Sequence, residues 1–412
     1  MAASKKNIVI IGGSYGGISV AHNLLKHAIP ILPDQASYQI VLVSAASQVI
    51  CRPACPRALI SDEMFNQNKL FVGIPQVFEQ YPKGSLRFVH ARATNLDYND
   101  RIVSVTFQEG NTEQIDYHAL VIATGASTPS PLHGLNRDEQ SLKASWHDFR
   151  KALPNAKSIV ITGAGPTGVE TAGELGEYLN GRPGWFSSKP EKPNVSITVV
   201  NAGSQILPVL RPAIAAKAER LLDKVGVTVI KNARVQSVKP EGAGTETALT
   251  TKTTVTLNTG QTLDADLYIP ATGSKPNTGF VPQALLAPDG RVDTNPATLR
   301  VDKAGERVYA IGDASSYARQ AIHIMLEAIP VVSANIKRDL LLAAGKEGVG
   351  EDRNFQADVR ETQMVPVGRS KGVGAAMGYQ LPSLLVWLIK GRDYWLWTTG
   401  GLWSGKQWVK EK

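Results

Sequence analysis

Residues 7–17 read NIVIIGGSYGG, and residues 158–168 read SIVITGAGPTG. Each stretch begins with a short apolar, β-branched run, which is typical of a strand buried on both faces, and then enters a glycine-rich turn. Helical patterns follow both turns, ISVAHNLLKHA after the first and VETAGELGEYL after the second. Such a strand–turn–helix junction can bring a pyrophosphate onto the helix N-terminus. The sequence therefore predicts two dinucleotide-binding units in one chain.

Each unit closes on a further buried strand that ends in the same tripeptide. Residues 120–125 read LVIATG, and residues 267–273 read LYIPATG. The runs QIVLV at 39–43 and SITVV at 196–200 predict the second strand of each unit. This internal duplication indicates an α/β fold with two Rossmann-like domains.

Other segments extend this outline. Residues 86–89 and 102–107 alternate in hydrophobicity, which predicts small antiparallel strands. RVYAIGDA at 307–314 predicts one more strand, and 322–343 predict a long helix. The polar stretch 345–360 has the texture of a linker, and beyond it we expect a smaller C-terminal α+β segment.

Bulk properties narrow the class of protein. The chain has 412 residues, 43% hydrophobic and 19% charged, which is ordinary for a globular protein of two or three domains. The net charge of +8 is spread along the chain, so a nucleic-acid partner is not expected. Because only residues 1–6 precede the first apolar run and residue 2 is alanine, we expect neither a cleavable signal nor N-myristoylation. We expect a cytoplasmic protein.

The first glycine turn departs from the usual G-x-G-x-x-G fingerprint at its middle position, where Ser14 stands. A serine adds bulk where the backbone approaches phosphate, but its hydroxyl can donate to phosphate. A second departure is Ser44, at the end of the second strand, where an acidic residue usually binds the ribose hydroxyls. Adenosine affinity must then come from weaker hydroxyl contacts or from other residues.

The second glycine turn, Gly163 to Gly168, matches the fingerprint in full. The residue at the end of its second strand is Asn201, which is again not acidic. A missing carboxylate removes repulsion toward a 2′-phosphate, and no arginine stands beside Asn201 to select for one. The choice between NADH and NADPH stays open.

Gly312 and Asp313 follow the strand of residues 307–311 and precede a helix. An aspartate in this place can bind the ribityl hydroxyls of a flavin while the helix N-terminus faces the pyrophosphate. An ordinary N-cap aspartate is the alternative. The two glycine turns and the two ATG strand ends favour the flavin.

In this order, the motifs GGSYGG, ATG, GAGPTGVETAGE, ATGSKPN and VYAIGDA resemble those of the flavoproteins with two dinucleotide-binding domains. These include glutathione-reductase-like enzymes, type II NADH dehydrogenases and apoptosis-inducing-factor-like proteins. The tail sequences PVGRSKGVGAAMG and LIKGRD are similar to those of the ferroptosis suppressor and apoptosis-inducing-factor-like NAD(P)H:quinone oxidoreductases. The resemblance covers nearly the whole chain and implies bound FAD and NAD(P)H.

The resemblance also implies a division of the chain and a set of site residues. The expected parts are 1–128 and 274–345 for the FAD-binding domain, 129–273 for the NAD(P)H-binding domain, and 346–412 for the C-terminal segment. The expected cofactor-binding residues are Gly12, Gly13, Ser14, Gly16, Gly17, Ser44, Arg57, Ala93, Ala123, Thr124, Gly125, Gly163, Gly165, Thr167, Gly168, Glu170, Asn201, Gly273, Gly312 and Asp313. No metal ligand set is expected, because the seven histidines are dispersed.

Two residues are expected to be catalytic. Glu170 matches a family glutamate near the nicotinamide and flavin rings, and Lys390 matches a family lysine in a region implicated in quinone reduction. The alternative for Glu170 is a first-turn carboxylate that complements the helix dipole. The alternative for Lys390 is a solvated lysine beside an apolar run.

Cys51 and Cys55 lie near the place where disulfide reductases carry a redox-active C-x4-C pair. Here the spacing is C-x3-C with Pro53 inside it, which disfavours the helix that would bring both sulfurs together. Two reduced structural thiols are therefore the preferred interpretation, although redox activity stays open.

The last thirty residues combine a short apolar run, cations and five of the seven tryptophans. The run 381–389 is too short to cross a bilayer. Two uses of these aromatics are compatible: a cap over the flavin domain, and peripheral contact with an intracellular membrane such as a mitochondrial or lipid-droplet surface. We expect the tail to form part of the acceptor site.

Three functions fit these observations. The leading prediction is an oxidoreductase that passes hydride from NAD(P)H through FAD to a quinone-like acceptor. A flavin-based redox sensor that controls a partner is the second, and a biosynthetic oxidoreductase on the same scaffold is the third. The sequence leaves the oligomeric state open.

Overall fold

The structure is a computed structural model, and it describes residues 5–182 and 192–411. Its strands are β1 Lys6–Ile11, β2 Tyr38–Ser44, β3 Gln48–Ile50, β4 Phe71–Gly73, β5 Leu86–Asp97, β6 Ile102–Phe107, β7 Thr112–Asp116, β8 Ala119–Ile122, β9 Ala126–Ser127, β10 Ser158–Thr162, β11 Ser196–Val200, β12 Val227–Ile230, β13 Val235–Lys239, β14 Thr253–Leu257, β15 Thr262–Ala265, β16 Leu267–Pro270, β17 Lys275–Pro276, β18 Val308–Ala310, β19 Gln363–Val367, β20 Lys371–Ala376 and β21 Tyr379–Gln380. Its α-helices are α1 Tyr15–Asn23, α2 Cys55–Ala58, α3 Gln67–Leu70, α4 Glu139–Ala152, α5 Pro166–Asn180, α6 Pro212–Asp223, α7 Ile322–Ala343, α8 Ser383–Val386 and α9 Leu396–Trp403.

The larger sheet has seven strands in the order β18-β8-β1-β2-β5-β6-β7. Its first five strands run parallel, as the continuous apolar runs predict. Strand β1 is buried on both faces: Ile8 and Ile10 pack in one apolar cluster, while Val9 and Ile11 pack in another. The carboxyl ends of β1 and β8 therefore meet at one edge of the sheet, which is where ligands bind in open α/β folds.

The smaller parallel sheet has four strands, in the order β12-β11-β10-β16. It lies between β8 and β18 in sequence, so the second unit is an insertion into the first. Two short strands, β9 and β17, pair antiparallel; β9 leads the chain from the larger unit into the smaller one, and β17 leads it back. Asn277 joins these two passages, since its backbone N–H donates to the carbonyl of Gly125 and its side-chain amide donates to that of Thr124, at 3.0 Å each.

The C-terminal segment contains the three-stranded antiparallel sheet β19-β20-β21 and helices α8 and α9. Strand β19 packs against α5 of the smaller unit. Gly173 permits this approach, because a Cβ there would lie 2.9 Å from the Cα of Val367. The segment thus contacts both dinucleotide-binding units, because α9 also packs against α1.

One predicted element is wrong. Residues 86–89 were expected in a small antiparallel strand, but they begin the long strand β5 and pair in parallel with β2. The remainder of β5 pairs antiparallel with β6, with an irregularity in register between Ala93 and Asn95. One strand thereby belongs to both the parallel layer and an antiparallel meander, which a short alternating pattern cannot reveal.

Candidate functional site

The first glycine turn is built for close approach between backbones. Gly12 has φ +124°, and a Cβ at this position would lie 2.2 Å from the carbonyl oxygen of Ala123. A Cβ on Gly17 would lie 1.8 Å from the carbonyl oxygen of Gly12. These two glycines let β1, β8 and the start of α1 converge, so any side chain there would break the turn.

The second turn repeats this arrangement atom for atom. Gly163 has φ +102°, and its Cβ would lie 2.4 Å from the carbonyl oxygen of Ala271. A Cβ on Gly168 would lie 1.9 Å from the carbonyl oxygen of Gly163. Gly165, in contrast, has no heavy atom within 4 Å of where its Cβ would be. The open space above Gly165 suits a pyrophosphate that approaches the N-terminus of α5.

A cavity of about 510 Å³ opens at the carboxyl ends of the strands of the larger sheet. Its wall brings together many of the residues that the sequence predicts for FAD. They are Gly12, Gly13, Ser14, Gly16, Ser44, Ala93, Ala123, Thr124, Gly125, Gly312 and Asp313. Gly17 was predicted with them but does not line the cavity; it packs against the backbone of Gly12.

Asp313 lies in this wall and is not an N-cap residue. It belongs to a 3₁₀ turn, Gly312–Ala314, whereas α7 begins only at Ile322 after Ala321. Burial raises the pKa of its carboxyl, although the cations of Arg52 and Arg291 oppose that effect. The N-cap alternative is therefore wrong, and Asp313 is free to bind a hydroxyl-bearing ligand in the cavity.

Arg52 was missed by the sequence analysis. It lines the cavity, with Nη1 3.9 Å from a carboxylate oxygen of Asp313. Nη1 donates to the carbonyl of Ala126 at 2.9 Å, and Nε donates to that of His133 at 3.3 Å. Gly134 makes room for it, since a Cβ there would lie 3.0 Å from Nε of Arg52. Arg52 belongs to no recognisable sequence motif, so its place in the cavity wall becomes apparent only from these contacts with residues distant in sequence.

The hydroxyl of Ser44 is already engaged by the backbone of Ala46, so it does not take over the ribose-binding role of the missing acidic residue. Its hydroxyl donates to the carbonyl of Ala46 at 2.8 Å and accepts from the backbone N–H of the same residue at 3.3 Å. Ser44 also fits tightly against Gly13, whose Cβ would lie 2.6 Å from the serine Oγ. The hydroxyl therefore stabilises the turn after β2, and adenosine contacts must come from other residues of the wall.

The residues predicted for NAD(P)H lie together at the second turn and outside the wall of this cavity. Gly163, Gly165, Thr167 and Gly168 surround the start of α5. Asn201 follows β11, and its side-chain amide donates to the carbonyls of Gly203 and Gln205, at 2.9 Å each. The remaining one, Gly273, follows β16 with φ +76°.

Arg57 is a correction to the predicted cofactor-binding set. It is absent from the cavity wall and is only 4% exposed. Its guanidinium forms two hydrogen bonds with the carboxylate of Glu174, at 2.8 and 2.9 Å. This arginine joins α2 to α5, so it stabilises the contact between the two units.

Glu170 and Lys390 are brought together, although 220 residues separate them in sequence. Nζ of Lys390 donates to Oε1 of Glu170 at 2.5 Å and to the carbonyl of Met364 at 3.0 Å. Both residues are buried, at 3% and 6% exposure, and neither lines the cavity, so Lys390 is not a solvated lysine. Glu170 lies beyond the first turn of α5, so the dipole alternative is also wrong.

The electrostatics of Glu170 suit proton exchange near neutral pH. Burial raises the pKa of its carboxyl to about 7, while the ammonium of Lys390 opposes this shift. Glu174, one turn further along α5, raises the pKa again, and Arg57 lowers it. A buried carboxyl with these neighbours is typical of functional sites.

The two cysteines are free and buried. Burial raises the pKa of the Cys51 thiol to about 11 and that of Cys55 to about 12, so neither is a thiolate at neutral pH. Cys51 Sγ donates to the carbonyl of Tyr394 at 3.4 Å and accepts from the hydroxyl of Tyr15 at 3.6 Å. Both features favour structural thiols over a redox-active pair.

The tail packs in part as a cap. Trp403 and Trp408 are buried, and the ring of Trp403 meets that of Tyr15, in the cavity wall, edge-on at 4.6 Å. The carbonyl of Trp403 accepts from Nε2 of buried His22 at 2.7 Å. Other apolar side chains of the tail are exposed: Leu384 at 69%, Leu385 at 40%, Leu388 at 47% and Trp397 at 59%.

Comparison with known proteins identifies the family of this chain. A family model described as pyridine nucleotide-disulphide oxidoreductase matches residues 6–329. The chain belongs to that family. Its members bind FAD and NAD(P)H, and these are the cofactors of this chain. The predicted fold class and the predicted cofactors are confirmed.

Curated relatives cover nearly the full length of the chain. Oxidoreductase phnG of Penicillium herquei is 62% identical over 99% of this chain and 98% of its own. Oxidoreductase ptaL of Pestalotiopsis fici is 32% identical over 93% of this chain and 95% of its own. Human ferroptosis suppressor protein 1 is 24% identical over 95% and 94%, which confirms the predicted resemblance at a distance.

Solved structures agree on the fold. The structure of NDH2 from Plasmodium falciparum superposes with a TM-score of 0.65 at 15% identity, and the match covers 99% of both chains. A NAD-dependent persulfide reductase from A. fulgidus gives 0.63 at 18% identity, covering 90% of this chain and 64% of its own. Among the described residues, none of the helices has the length and apolar character that crossing a bilayer requires.

Proposed function

We propose that this oxidoreductase transfers reducing equivalents from NAD(P)H to a quinone-like small molecule. The observation that carries the proposal is the state of the two cysteines. Both thiols are buried, with pKa values raised to about 11 and about 12, so a dithiol relay to a disulfide substrate is disfavoured. Electrons then pass from the flavin to the acceptor without a thiol intermediate.

The residues present fit the two cofactors. The missing Cβ atoms of Gly12 and Gly163 let the backbone of each strand end converge with its neighbour, and the open space at Gly165 accepts a phosphate. A bound flavin would supply the chemistry, because it accepts a hydride from reduced nicotinamide and gives electrons to quinones. The chain's own task is to bind, to orient and to exclude water.

Glu170 and Lys390 are proposed as the buried pair that handles protons during the reaction. Nζ of Lys390 donates a hydrogen bond to Oε1 of Glu170. Since burial raises the pKa of Glu170 to about 7, its carboxyl can take up or release a proton under working conditions. Quinone reduction consumes protons as well as electrons, so a buried pair of this kind suits the reaction.

Anaerobic titration with NADH tests this function. The purified protein should be yellow, and NADH should bleach the flavin. Added quinone should then restore the oxidised spectrum, and steady-state turnover should be fast and multiple. A colourless protein that binds no added FAD contradicts the proposal, and one slow reduction per flavin supports the redox sensor instead.

The cysteines provide a direct control. Replacing Cys51 and Cys55 together with serine should leave NADH:quinone turnover within about twofold of the unmodified protein, because neither thiol is ionised. A collapse of turnover in this variant, with FAD still bound, would instead show that the thiols carry electrons.

A biosynthetic oxidoreductase on the same scaffold is the second candidate. It is favoured by the relative from Penicillium herquei, 62% identical and named as an oxidoreductase without mention of a quinone. Turnover with a panel of aromatic ketones and quinones separates the two. Activity confined to the ketones would overturn the quinone proposal.

We also propose that the exposed apolar side chains of the tail contact a membrane peripherally. Leu384, Leu388 and Trp397 are each at least 47% exposed, and Trp397 Nε1 donates to the carbonyl of Ile389 at 3.3 Å. Leucine and tryptophan together favour the boundary between headgroups and acyl chains. The guanidinium of Arg392, with its side chain 48% exposed, adds attraction to anionic lipid.

A further inference from the structure

Tyr394 contacts three separate parts of the chain. Its hydroxyl donates to Oε1 of Glu174 on α5 at 2.9 Å. Its carbonyl accepts from Sγ of Cys51 in the flavin unit at 3.4 Å. Its backbone N–H donates to the carbonyl of Lys390 in the C-terminal segment at 2.6 Å. One residue thereby ties Lys390 to both dinucleotide-binding units.

The conformation and packing of Tyr394 show that the surroundings hold it firmly. Its side chain is fully buried, and the Arg57 guanidinium lies 4.8 Å from the ring centroid. Tyr394 and Trp395 have φ +54° and +67°, a left-handed pair without glycine. Such strain persists only where neighbouring structure over-determines it, and it concentrates at functional sites.

The buried face of α5 carries two carboxylates, each with its own cation. Glu170 pairs with Lys390 from the C-terminal segment, and Glu174 pairs with Arg57 from α2. Tyr394 lies between the two pairs, since it donates to Glu174 while Nζ of Lys390 is 5.8 Å from its ring centroid. The placement of Lys390 therefore depends on a residue four positions further along the chain.

We propose that Tyr394 is a positioning residue that holds Lys390 opposite Glu170. The inference rests on the proposed function, because it gives the Glu170–Lys390 pair its task in proton handling. Tyr394 itself need not touch substrate or cofactor. It acts through the hydrogen bond to Glu174 and through the backbone bond that fixes the turn after Lys390.

Removing the hydroxyl should raise the pKa of Glu170. In Tyr394→Phe, Glu174 loses a donor, so its negative charge acts more strongly on Glu170, its neighbour on α5. Lys390 is also held less firmly, and its stabilisation of the ionised carboxyl weakens. Both effects raise the pKa of Glu170, whereas the nearby guanidinium of Arg57 continues to lower it.

The test uses the FAD-loaded protein without NADH. Infrared difference titration follows the C=O band of protonated Glu170, identified by its loss in Glu170→Gln. Tyr309→Phe is the matched control, because Tyr309 is likewise fully buried and donates to Asp339, which pairs with Arg300. The Glu170 titration should move to higher pH by about one unit in Tyr394→Phe, a tenfold change in its ionisation constant, and stay in place in Tyr309→Phe.

Reoxidation of the reduced flavin by quinone gives a second reading, because this is the step to which the proposed function assigns the pair. Its pH dependence should move in the same direction as the infrared titration, with KM for NADH unchanged. An unmoved Glu170 titration in Tyr394→Phe, or an equal shift in Tyr309→Phe, overturns the inference. Because the infrared reading needs no acceptor, failure of quinone turnover would count against the proposed function alone.

If Tyr394→Phe does not fold, Cys51 decides the question. Cys51→Ala withdraws the hydrogen bond to the Tyr394 carbonyl, whereas Cys51→Ser keeps a donor. A smaller upward shift in Cys51→Ala that Cys51→Ser restores supports the positioning role. Identical titrations in both variants and the unmodified protein contradict it.

Discussion

Asp313 is a half-buried carboxylate in the cavity wall, and the guanidinium of Arg52 is 3.9 Å away. Asp313→Ala should weaken FAD retention, because it removes a charge-assisted hydrogen bond of about 1.5–3 kcal/mol, roughly 10- to 100-fold in Kd. Fluorescence titration of the apoprotein measures this loss. Asp358→Ala, at an ion pair with Arg360 remote from the cavity wall, is the control. Unchanged affinity in Asp313→Ala would remove this residue from the flavin site.

His22 should make the protein sensitive to acid. Burial and the Lys26 cation lower the pKa of its imidazole to about 4, although the bond to the Trp403 carbonyl acts in the opposite direction. The unfolded chain takes up a proton near pH 6.5 while the folded one does not, so stability falls as pH falls. This residue should cost about 2 kcal/mol of unfolding free energy between about pH 7.5 and about pH 5.

Urea unfolding at both pH values measures this cost. In His22→Gln the loss of stability on acidification should shrink by that amount, whereas it should persist in His147→Gln, where the histidine is exposed. An equal response in both variants would assign the acid sensitivity to other buried histidines.

At the scale of an element, the start of α5 separates two kinds of glycine. Gly165→Val should fold, because Gly165 has φ −71° and ψ −177°, which valine adopts, and no atom stands near its Cβ position. The added side chain would occupy the approach of the pyrophosphate, so flavin stays bound while its reduction by NADH is blocked. Stopped-flow absorbance measures this step.

Gly168→Val provides the contrast at the same turn. Its Cβ would lie 1.9 Å from the carbonyl oxygen of Gly163, so this variant should not fold at all. A Gly165→Val protein that oxidises NADH and NADPH with unchanged Michaelis constants would show that the nucleotide binds elsewhere.

The tail is better tested by substitution than by deletion. Removing residues 381–412 would also remove Tyr394, Trp403 and Trp408, which are buried in the two units. Replacing Leu384, Leu388 and Trp397 together with glutamine should lower liposome binding about tenfold or more, since the apolar contact area is lost. Flavin reduction by NADH should not change.

Exposed apolar residues elsewhere supply the control for this triple variant. Ile31 and Val359 are 53% and 91% exposed and lie outside the tail. Glutamine at both positions should leave liposome binding as it was. If the triple variant binds liposomes as well as the unmodified protein does, the tail is not a membrane contact.

Local patterns in the sequence were enough to predict several of the regular elements. The strands 158–162 and 196–200 and the long helix 322–343 have the predicted bounds, because buried strands and an apolar helix leave continuous local signals. The start of strand β5 was predicted as a strand but with the wrong pairing, because one strand belongs to two layers with different partners. The hydrophobic pattern of a strand shows which of its faces is buried, but it does not show which strand lies beside it in the sheet.

At the scale of the whole molecule, the site depends on contacts that no local pattern contains. The resemblance supplied Glu170 and Lys390, but their contact joins residues 220 positions apart. Arg57 was placed at the cofactor and lies instead against Glu174, because a buried guanidinium requires a carboxylate partner. Arg52 and the positioning contacts of Tyr394 emerge only once α2, α5 and the C-terminal segment are packed together.

The insertion of the smaller unit has a consequence for synthesis on the ribosome. Strand β8 lies between β1 and β18, but β18 begins at Val308, well after the four-stranded sheet ends at Pro270. The inserted sheet is therefore complete in the growing chain while β8 still has one unpaired edge. We expect the inserted unit to fold first and shorten the effective distance between β8 and β18, because its entry and exit strands β9 and β17 pair directly. A folded insertion would thus act as an intramolecular clamp for the last strand of the sheet around it.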